Sequence, residues 1–269
     1  MGEKEDRFQL LSEKQEPFAD SKRISQIKVD GRLVRVEKEE SGITLIGRDF
    51  ISKDNFPEAV ESLQKIPFSF KADCEFAVFE KDGIKSNFSK LQTRSKLKDK
   101  FKIRLLSNLT PVTPVFFDLL EFDGQQIVNE TYEKRKGILN EKFKDYPGIQ
   151  VVKDWEDPFE CWKFVIANKL EGIVEKDKSS FYRTGRNDAG IKVKRKGLFE
   201  MRFEKYEIQN AGITLENKEG FRVACNGQKH VPVKELMDKQ GYVDVILRAM
   251  ADKTENDRLR EIVFYSLKE

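Results

Sequence analysis

The segment QIKVDGRLVRV at residues 26–36 is the feature that most constrains how this chain can fold. Its apolar residues recur at the period of a β-strand, and Asp30-Gly31 is a common signal for a tight turn between two strands. The segment therefore predicts two strands around a turn. Two interpretations of Lys28 stay open at this point: an exposed lysine on a surface hairpin, or an active-site lysine held at a strand end beside a phosphate pocket.

Few side chains in the sequence could support histidine or cysteine chemistry. The single histidine, His230, lies in the polar turn GQKHVPV, and the 3 cysteines, Cys74, Cys161 and Cys225, are far apart with no C-x-x-C pair. This pattern argues against a zinc site, a disulfide framework and a histidine-based triad. Any chemistry must therefore depend on lysine, arginine and carboxylates.

The composition favours a cytoplasmic protein without a membrane segment. No apolar run approaches the ~20 residues that span a bilayer, and the charged N-terminus lacks a signal region. The 21 phenylalanines are enough to build hydrophobic cores. The formal net charge of +3 is low for a nucleic-acid coat protein, so local basic patches matter more than the total, and the densest are residues 95–104 and 191–196.

Turn signals and hydrophobic periodicity divide the chain near residue 197. Before this point strand patterns alternate with helical ones. The predicted strand segments are 24–50, 70–83, 114–124, 172–177 and the end of 179–196, and the predicted helical segments are 55–65, 88–102, 131–146 and 158–170. After it, about five short strands and a helix-like insert predict a small barrel of the OB type. The fold class is α+β, with antiparallel sheets and helices in residues 1–197 and an OB-fold β-barrel in residues 198–269.

The charged residues that recur at predicted strand ends suit one reaction. A lysine amine can attack the α-phosphorus of a nucleotide when its pKa is lowered and the phosphates are neutralised, which forms a phosphoramidate. Such a site needs carboxylates for a metal ion, further cations for the α-phosphate and an aromatic face for the base. In chain order the sequence supplies Lys28, Asp30, Arg48, Asp73, Glu75, Phe117, Asp118, Glu171, Lys192 and Lys194.

The order of these motifs closely resembles that of the covalent nucleotidyltransferases and, within them, the ATP-dependent DNA ligases. The resemblance rests on Lys28-Val-Asp-Gly followed by GRDF, DCEF, FFDLLEFDG, EGIVEK and KVK, and covers about residues 24–260. NFSKLQTR, and FFDLLEFDG followed by EKRKGIL, favour DNA ligases over capping enzymes. The resemblance implies a minimal two-domain enzyme, with an ATP-grasp-like nucleotidyltransferase domain, a hinge near Lys196-Gly197, an OB domain and no additional N-terminal DNA-encircling domain.

The resemblance also implies a role for each matching position. Lys28 would be the adenylated nucleophile, and Asp30 would orient it or help to bind the adenylate and metal. Lys192 and Lys194 would neutralise the α-phosphate, as catalytic cations. The implied contacts with ATP or AMP are Ile27, Lys28, Arg48, Glu75 at the ribose, Phe117 stacked on adenine, Lys192 and Lys194.

Metal and DNA contacts are implied in the same way. The implied metal ligands are Asp30, Glu75 and Glu171, and Mg²⁺ is expected, with Mn²⁺ as a substitute, because hard oxygen ligands dominate the set. The implied DNA contacts are Arg32, Arg48 at the 5′-phosphate of the nick, Arg94, Lys96 and Lys98. The partners implied are ATP and nicked duplex DNA, with end-joining or repair proteins as candidates, and a monomer is expected.

The implied activity is the sealing of nicks with 3′-hydroxyl and 5′-phosphate ends through a lysyl-AMP and a DNA-adenylate. Three alternatives stay open. An RNA ligase would prefer RNA ends, and a capping-type guanylyltransferase would use GTP, although NFSKLQTR argues against it. A degenerate relative would bind nucleic acid without forming a covalent nucleotide.

The sequence departs from the family pattern at four places. The family's arginine five positions after the lysine is here Leu33, and Arg32 stands one residue earlier, on the opposite face of a strand unless a bulge intervenes. The Gly31-Arg32-Leu33 pattern is similar to that of some RNA ligases. Cys74 replaces a glycine, and Gly190 stands where ligases often have tryptophan. The nearest match to the terminal Arg-x-Asp-Lys motif is MADK at 250–253, so we expect slow self-adenylation or a substitute cation.

Overall fold

The computed structural model describes residues 8–48, 51–252 and 258–268. The chain separates into two compact units, Met1–Lys194 and Arg195–Glu269. The boundary expected at residue 197 thus falls inside the first strand of the second unit, Lys196–Phe203. Within the described ranges, no helix combines the length and apolar character needed to cross a membrane.

Unit 1 is built from short strands interspersed with helices. Its described strands are β1 (Gln9–Lys14), β2 (Arg23–Lys28), β3 (Arg32–Glu39), β4 (Gly42–Gly47), β5 (Phe70–Val78), β6 (Val112–Phe122), β7 (Gln125–Gln126), β8 (Gln150–Val151), β9 (Asp154–Trp155), β10 (Gly172–Asp177) and β11 (Gly185–Lys194). Its described helices are α1 (Pro57–Gln64), α2 (Phe88–Ser95), α3 (Lys100–Leu109), α4 (Tyr132–Phe143) and α5 (Pro158–Ala167).

The first sheet of unit 1 has the strand order β1-β11-β10-β2-β9. Strand β1 runs parallel to β11, and the other pairs are antiparallel. Helix α5 begins where the Asp157 side chain caps its first backbone N–H groups, and it buries Val165 against Ile173 and Val193 of the sheet. The helix covers one face of the sheet only, which leaves the other face to its charged residues.

The second sheet of unit 1 has the order β4-β3-β5-β6-β7, with β8 parallel to β6. One of its faces packs on helices α1 and α4 around phenylalanines. The rings of Phe70, Phe116 and Phe143 lie with centroids 4.9 to 5.9 Å apart, in tilted and edge-on arrangements that aromatic pairs favour. The abundant phenylalanine of the sequence therefore builds the main core.

The hairpin predicted for residues 26–36 is wrong, although both of its strands exist. Strand β2 belongs to the first sheet and β3 to the second, so Asp30-Gly31 crosses between sheets instead of closing a turn. A Cβ on Gly31 would lie 2.3 Å from the Phe76 carbonyl oxygen, so only glycine fits at this crossing. The Asp30 N–H donates to the Ser86 hydroxyl at 3.1 Å, which anchors the crossing segment.

Other local predictions have mixed outcomes. The hairpin at Ser41-Gly42 is confirmed, with Gly42 at φ 135°, and the predicted helices at 55–65, 131–146 and 158–170 are confirmed as α1, α4 and α5. The helical segment predicted at 88–102 splits into α2 and α3, because the Asp99 side chain accepts the Lys102 N–H and starts a second helix.

Two strand predictions need correction. The strand pair predicted at 70–83 is the single strand β5 followed by an isolated bridge between Phe79 and Ser86. Strand β1 has no counterpart in the prediction, because its sequence QLLSEK does not alternate; its place is decided by pairing with β11, 175 residues later in the chain.

Unit 2 has two small sheets around its own core. Its described elements are β12 (Lys196–Phe203), β13 (Lys205–Gln209), β14 (Gly212–Glu216), β15 (Arg222–Asn226), α6 (His230–Gln240), β16 (Val243–Met250) and β17 (Val263–Leu267). The sheets have the orders β12-β16-β17 and β13-β14-β15. Helix α6 packs on both through Val233 and Met237, and it ends at Gly241 in the left-handed conformation.

Candidate active site

Three lysines share one face of the first sheet. The register pairs Lys28 on β2 with Gly172 on β10, and Gly172 with Lys194 on β11. Lys192 lies two residues before Lys194, so its side chain points to the same face. A Cβ on Gly172 would lie 2.1 Å from the Val193 carbonyl oxygen, so only glycine allows these strands to pair here, and its missing side chain leaves space between the lysines. We call Lys28, Glu171, Lys192 and Lys194 the lysine site.

Glu171 joins two of these lysines. Its Oε2 lies 2.9 Å from Lys28 Nζ, and its Oε1 lies 3.8 Å from Lys194 Nζ. Burial by itself would lower the pKa of Lys28, but the charges of Glu171, Glu75 and Asp30 outweigh it and raise that pKa. Burial also raises the pKa of Glu171. In the nucleotide-free protein, Lys28 is therefore a charged ammonium held by Glu171.

Glu75 contributes from the second sheet, where it lies opposite Leu33 in the β3–β5 register. Burial raises its pKa to about 8, with Lys28 opposing the rise and Glu171 and Asp30 adding to it. Arg48, exposed just after β4, also lowers the pKa of Glu75. The structure therefore brings Asp30, Glu75 and Arg48 within electrostatic reach of the lysine site.

Phe117 lies at a β-bulge of β6. The register pairs Cys74 with Phe116 and Asp73 with Asp118, so Phe117 is skipped and its half-buried ring is re-aimed. The ring packs in a small cluster with Val29, the residue after Lys28. The Phe117 ring therefore packs in the same cluster as the residue that follows Lys28, by means of a bulge that the strand pattern does not predict.

Lys192 has a partner that sequence reasoning missed. Its Nζ lies 3.4 Å from Glu13 Oε2 on β1. Burial lowers the pKa of Lys192, Lys194 and Lys28 lower it further, and Glu13 opposes them. No signal in the sequence identifies Glu13, because its relation to Lys192 depends on a parallel strand pairing between the two ends of unit 1.

Two predicted contacts conflict with the structure. Arg94 is 1% exposed, and its guanidinium donates to the carbonyl oxygens of Leu106, Thr110 and Asn55 at 2.7 to 2.9 Å. It also pairs with Glu58, so it joins three helical segments and is not available to DNA. Ile27 points away from Lys28 and packs in the cluster under α5, so its side chain does not face the nucleotide site.

The structure shows whether Arg32 can take the place of the family's arginine, where this chain has Leu33. Strand β3 pairs with β5 without a register shift, so Leu33 shares the face of Glu75 and Arg32 points to the opposite face. Arg32 therefore does not replace the family's arginine within this site. Arg35, two residues beyond Leu33, shares its face but is bound to Asp73 by two hydrogen bonds of 2.8 and 3.2 Å.

The structure also shows where the other departures from the family pattern lie. Cys74 is fully buried in the main core, away from Glu75. A Cβ on Gly190 would lie 2.4 Å from Leu11 Cδ2 of β1, so a larger residue there would require the Leu11 side chain to move. In the predicted terminal motif, Met250 is buried and Asp252 forms an ion pair with Arg195, whereas Lys253 lies outside the described residues.

Basic residues predicted to bind DNA gather at a cleft of about 1170 Å³ within unit 1. Arg32 lines it with the exposed Lys96 and Lys98, and Lys100 and Arg104 of α3 add two further cations. Acidic residues of the 54–61 segment line the same cleft. We call this the basic cleft.

The predicted metal ligands Asp30, Glu75 and Glu171 do not form a compact cluster. Among the residues that the structure describes, no group of three or more His, Cys, Asp or Glu side chains lies close enough together to hold a metal ion. The predicted set of Asp30, Glu75 and Glu171 surrounds Lys28, but it is not a preformed three-ligand site.

Comparison with known proteins identifies the family. The family described as ATP dependent DNA ligase domain matches residues 6–194, and the chain belongs to this family. A probable DNA ligase of Dictyoglomus turgidum is 31% identical over 182 residues, which cover 62% of this chain and 30% of that protein. The bifunctional non-homologous end joining protein LigD of Bacillus subtilis is 29% identical over 175 residues, or 58% of this chain and 28% of that protein.

Structural comparison extends the likeness to both units. A Lig E DNA ligase structure has a TM-score of 0.70 at 16% identity and covers 97% of this chain and 98% of its own. At this identity the likeness establishes the fold. The chain spans about 30% of the length of the curated relatives it matches.

Proposed function

We propose that this chain is an ATP-dependent DNA ligase that joins 3′-hydroxyl and 5′-phosphate ends at nicks in duplex DNA. One observation carries the proposal: Lys28 ends β2 with Lys194 and Lys192 on the same sheet face, and Glu171 contacts its amine at 2.9 Å. This arrangement offers a nucleophile, two cations for an α-phosphate and a proton acceptor. Membership of the ligase family supports ATP as the nucleotide.

In the first step, Lys28 Nζ attacks the α-phosphorus of ATP. The N–P bond forms as the bond to the bridging oxygen of the β-phosphate breaks, and pyrophosphate leaves. Attack requires Lys28 to give up a proton, and Glu171 Oε2 is within hydrogen-bond distance to accept it. The raised pKa of Glu171 favours this transfer, whereas the raised pKa of Lys28 opposes it. Lys192 and Lys194 would stabilise the charge on the α-phosphate.

The donor set fits a magnesium ion that is completed by the substrate. Magnesium is usually held by one or two carboxylates together with phosphate oxygens, which suits a site whose carboxylates do not form a cluster of three. Glu171, Asp30 and Glu75 are the residues that would hold it. When bound, the ion would neutralise charge that develops on the triphosphate.

The remaining steps use the same side chains. The 5′-phosphate of the nick attacks the lysyl-AMP phosphorus, which breaks the N–P bond and forms the DNA-adenylate. The 3′-hydroxyl then attacks the 5′-phosphorus, the phosphodiester bond forms and AMP leaves. Lys192 and Lys194 would stabilise phosphate charge in both steps, Phe117 would stack on adenine, and the exposed Arg48 would contact the 5′-phosphate.

DNA binding is proposed to involve both units. Lys96, Lys98 and Arg32 at the basic cleft would contact backbone phosphates, which predicts salt-sensitive binding without sequence preference. Among the described residues of unit 2, the two three-stranded sheets with helix α6 packed on them support an OB-type barrel that would also contact duplex DNA. The likeness to the Bacillus subtilis protein supports a role in end joining or repair.

Covalent labelling tests the proposal. Wild-type protein would be incubated with Mg²⁺ and α-³²P-labelled ATP or GTP and resolved on a denaturing gel. We expect label from ATP, lost in Lys28→Ala and discharged by nicked DNA with sealing. Lys28→Arg is the matched control, because it retains a cation beside Glu171 but lacks a nucleophilic amine; it should fold and remain unlabelled.

Other outcomes would redirect the assignment. Label from GTP alone would indicate a guanylyltransferase, and discharge only onto RNA ends would indicate an RNA ligase. DNA binding with no label from either nucleotide, in protein verified by mass spectrometry to carry no AMP, would overturn the ligase proposal.

A further inference from the structure

Glu13 is the carboxylate nearest to the lysine site that the proposed chemistry does not use. It lies on β1, the edge strand that pairs in parallel with β11, and its Oε2 is 3.4 Å from Lys192 Nζ. Its side chain is 40% exposed, so the ion pair forms at the solvent-facing side of the site.

An irregularity in the strand pairing creates this contact. Leu11 pairs with Asn187, but the next residue, Ser12, pairs with Ile191, so the ladder skips residues 188–190. With continuous pairing Glu13 would lie opposite Ala189; the shift places it opposite Lys192 instead. The Ser12 hydroxyl donates to Asp188 Oδ1 at 2.6 Å, which holds the skipped segment in place. Such irregularities commonly re-aim side chains beside active sites.

We propose that Glu13 is a positioning residue that competes with nucleotide phosphate for Lys192 and so sets the KM for ATP in self-adenylation. The inference rests on the proposed function, in which Lys192 binds the α-phosphate. Glu13 contacts the Lys192 ammonium at 3.4 Å and offsets the like charges of Lys194 and Lys28. When ATP enters, its phosphates must displace a carboxylate of like charge from that ammonium.

The competition between Glu13 and ATP phosphate for Lys192 should change the KM for ATP by a limited factor. Partly exposed ion pairs correspond to an equilibrium change of about threefold to fivefold, and they weaken with added salt. Glu13 should therefore affect the ATP concentration needed for half-maximal adenylation and leave the maximal rate unchanged. It should have no effect on sealing by enzyme that already carries AMP, because there Lys192 has already exchanged Glu13 for the AMP phosphate.

The test measures the adenylation rate against ATP concentration for Glu13→Gln and Glu13→Ala. Glu16→Gln is the matched control, because Glu16 is an exposed glutamate three residues later in the same segment. We expect the KM for ATP to fall about threefold to fivefold in both Glu13 variants and to stay unchanged in Glu16→Gln. Raising the ionic strength should reduce the difference. Thermal melting would verify that each variant folds.

A double-mutant cycle identifies Lys192 as the partner. In a Lys192→Ala background, Glu13→Gln should no longer change the KM for ATP. A KM in the Glu13 variants equal to that of Glu16→Gln, or higher than wild type, would overturn the inference while leaving the ligase proposal intact. Wild-type protein that forms no lysyl-AMP would overturn the ligase proposal itself, so the two failures are distinguishable.

Discussion

Two clusters of charged residues in unit 1 differ in how their carboxylates are bound. We call Arg35, Asp73, Asp118, Arg135 and Tyr182 the arginine network. Each of its carboxylates accepts hydrogen bonds from two nitrogens of one guanidinium. Arg135, for example, donates to Asp118 at 2.8 and 3.0 Å and also donates to two carbonyl oxygens. In the lysine site, Glu171 is shared between two ammonium groups through single contacts. The planar fork of arginine saturates its partner, whereas lysine, a point charge, can exchange partners.

The difference separates charges that hold the fold from charges available for chemistry. Both clusters are largely buried, so burial alone does not distinguish them. The distinction is the number of hydrogen bonds that join each carboxylate to its partner: two in the arginine pairs and single contacts at Glu171. Substitutions in and around the two clusters test it.

Removing an arginine of the network should destabilise the protein. Arg135→Met leaves Asp118 as an uncompensated buried charge, and we expect the free energy of unfolding to fall by about 3–5 kcal/mol. Urea denaturation followed by tryptophan fluorescence would measure it. Adding Asp118→Asn should recover part of the loss, because it removes that charge. A loss below about 1 kcal/mol would place Arg135 outside the structural network.

Removing the Glu171 carboxylate should slow adenylation strongly and destabilise the protein less. Glu171→Gln keeps the shape of the side chain but removes the proton acceptor, so we expect adenylation to slow by about 10²- to 10³-fold. The free energy of unfolding should fall less than in Arg135→Met, because glutamine can still accept a hydrogen bond from Lys28 and the charges of Glu75 and Asp30 remain near that ammonium. Single-turnover labelling and denaturation would be run together, with Glu160→Gln on the exposed side of α5 as control. A loss of stability comparable to that of Arg135→Met would remove the contrast between the clusters.

The glycine between the lysines should be sensitive to one added methyl group. Gly172→Ala would force β10 away from Val193, and we expect a loss of about 1–3 kcal/mol together with slower adenylation, because the register of Lys28 and Lys194 is disturbed. Gly137→Ala on α4 is the matched control, since nothing lies within 4 Å of its added Cβ. It should stabilise the protein by about 0.5–1 kcal/mol. Equal effects at both positions would contradict the close approach at Gly172.

The pH dependence of stability should report Glu75. Its pKa rises from 4.5 unfolded to about 8 folded, so its contribution to stability is complete below pH 4.5 and is lost as the pH rises through 8. Glu75→Gln, which stays neutral, should therefore gain stability over wild type between pH 5.5 and 8.5, by about 3 kcal/mol. Melting temperatures of both proteins across that range would measure the gain. A difference independent of pH would show that Glu75 is ionised throughout.

Much of the candidate site can be predicted from the sequence because its residues come in local patterns. The alternation and turn chemistry around Lys28, the Asp73-Cys74-Glu75 triplet and the 172–177 segment each predict a strand that carries charged residues. Lys28 does end its strand, whereas Asp73 and Glu75 lie in the middle of β5 and not at the predicted strand end. The order of these segments along the chain is sufficient to identify the family, which the match to residues 6–194 confirms.

Errors arise where a short segment is compatible with more than one partner. Asp30-Gly31 suits a hairpin turn and a crossing between sheets equally well, and the close approach of Gly31 to Phe76 decides between them. Arg94 follows the same basic pattern as Lys96 and Lys98, yet only Arg94 is buried, because α1 and α3 close over it.

The sequence by itself determined the chemistry of the protein: lysines, carboxylates and an aromatic residue in the family's order, with strand periodicity setting which neighbours share a face. Only the tertiary structure decided which strands lie side by side. It placed Glu171 between Lys28 and Lys194, aimed Phe117 through a bulge and brought Glu13 to Lys192 across 179 residues of chain. The physical reason is that strand and turn preferences act over a few residues, whereas strand pairing depends on contacts between distant segments.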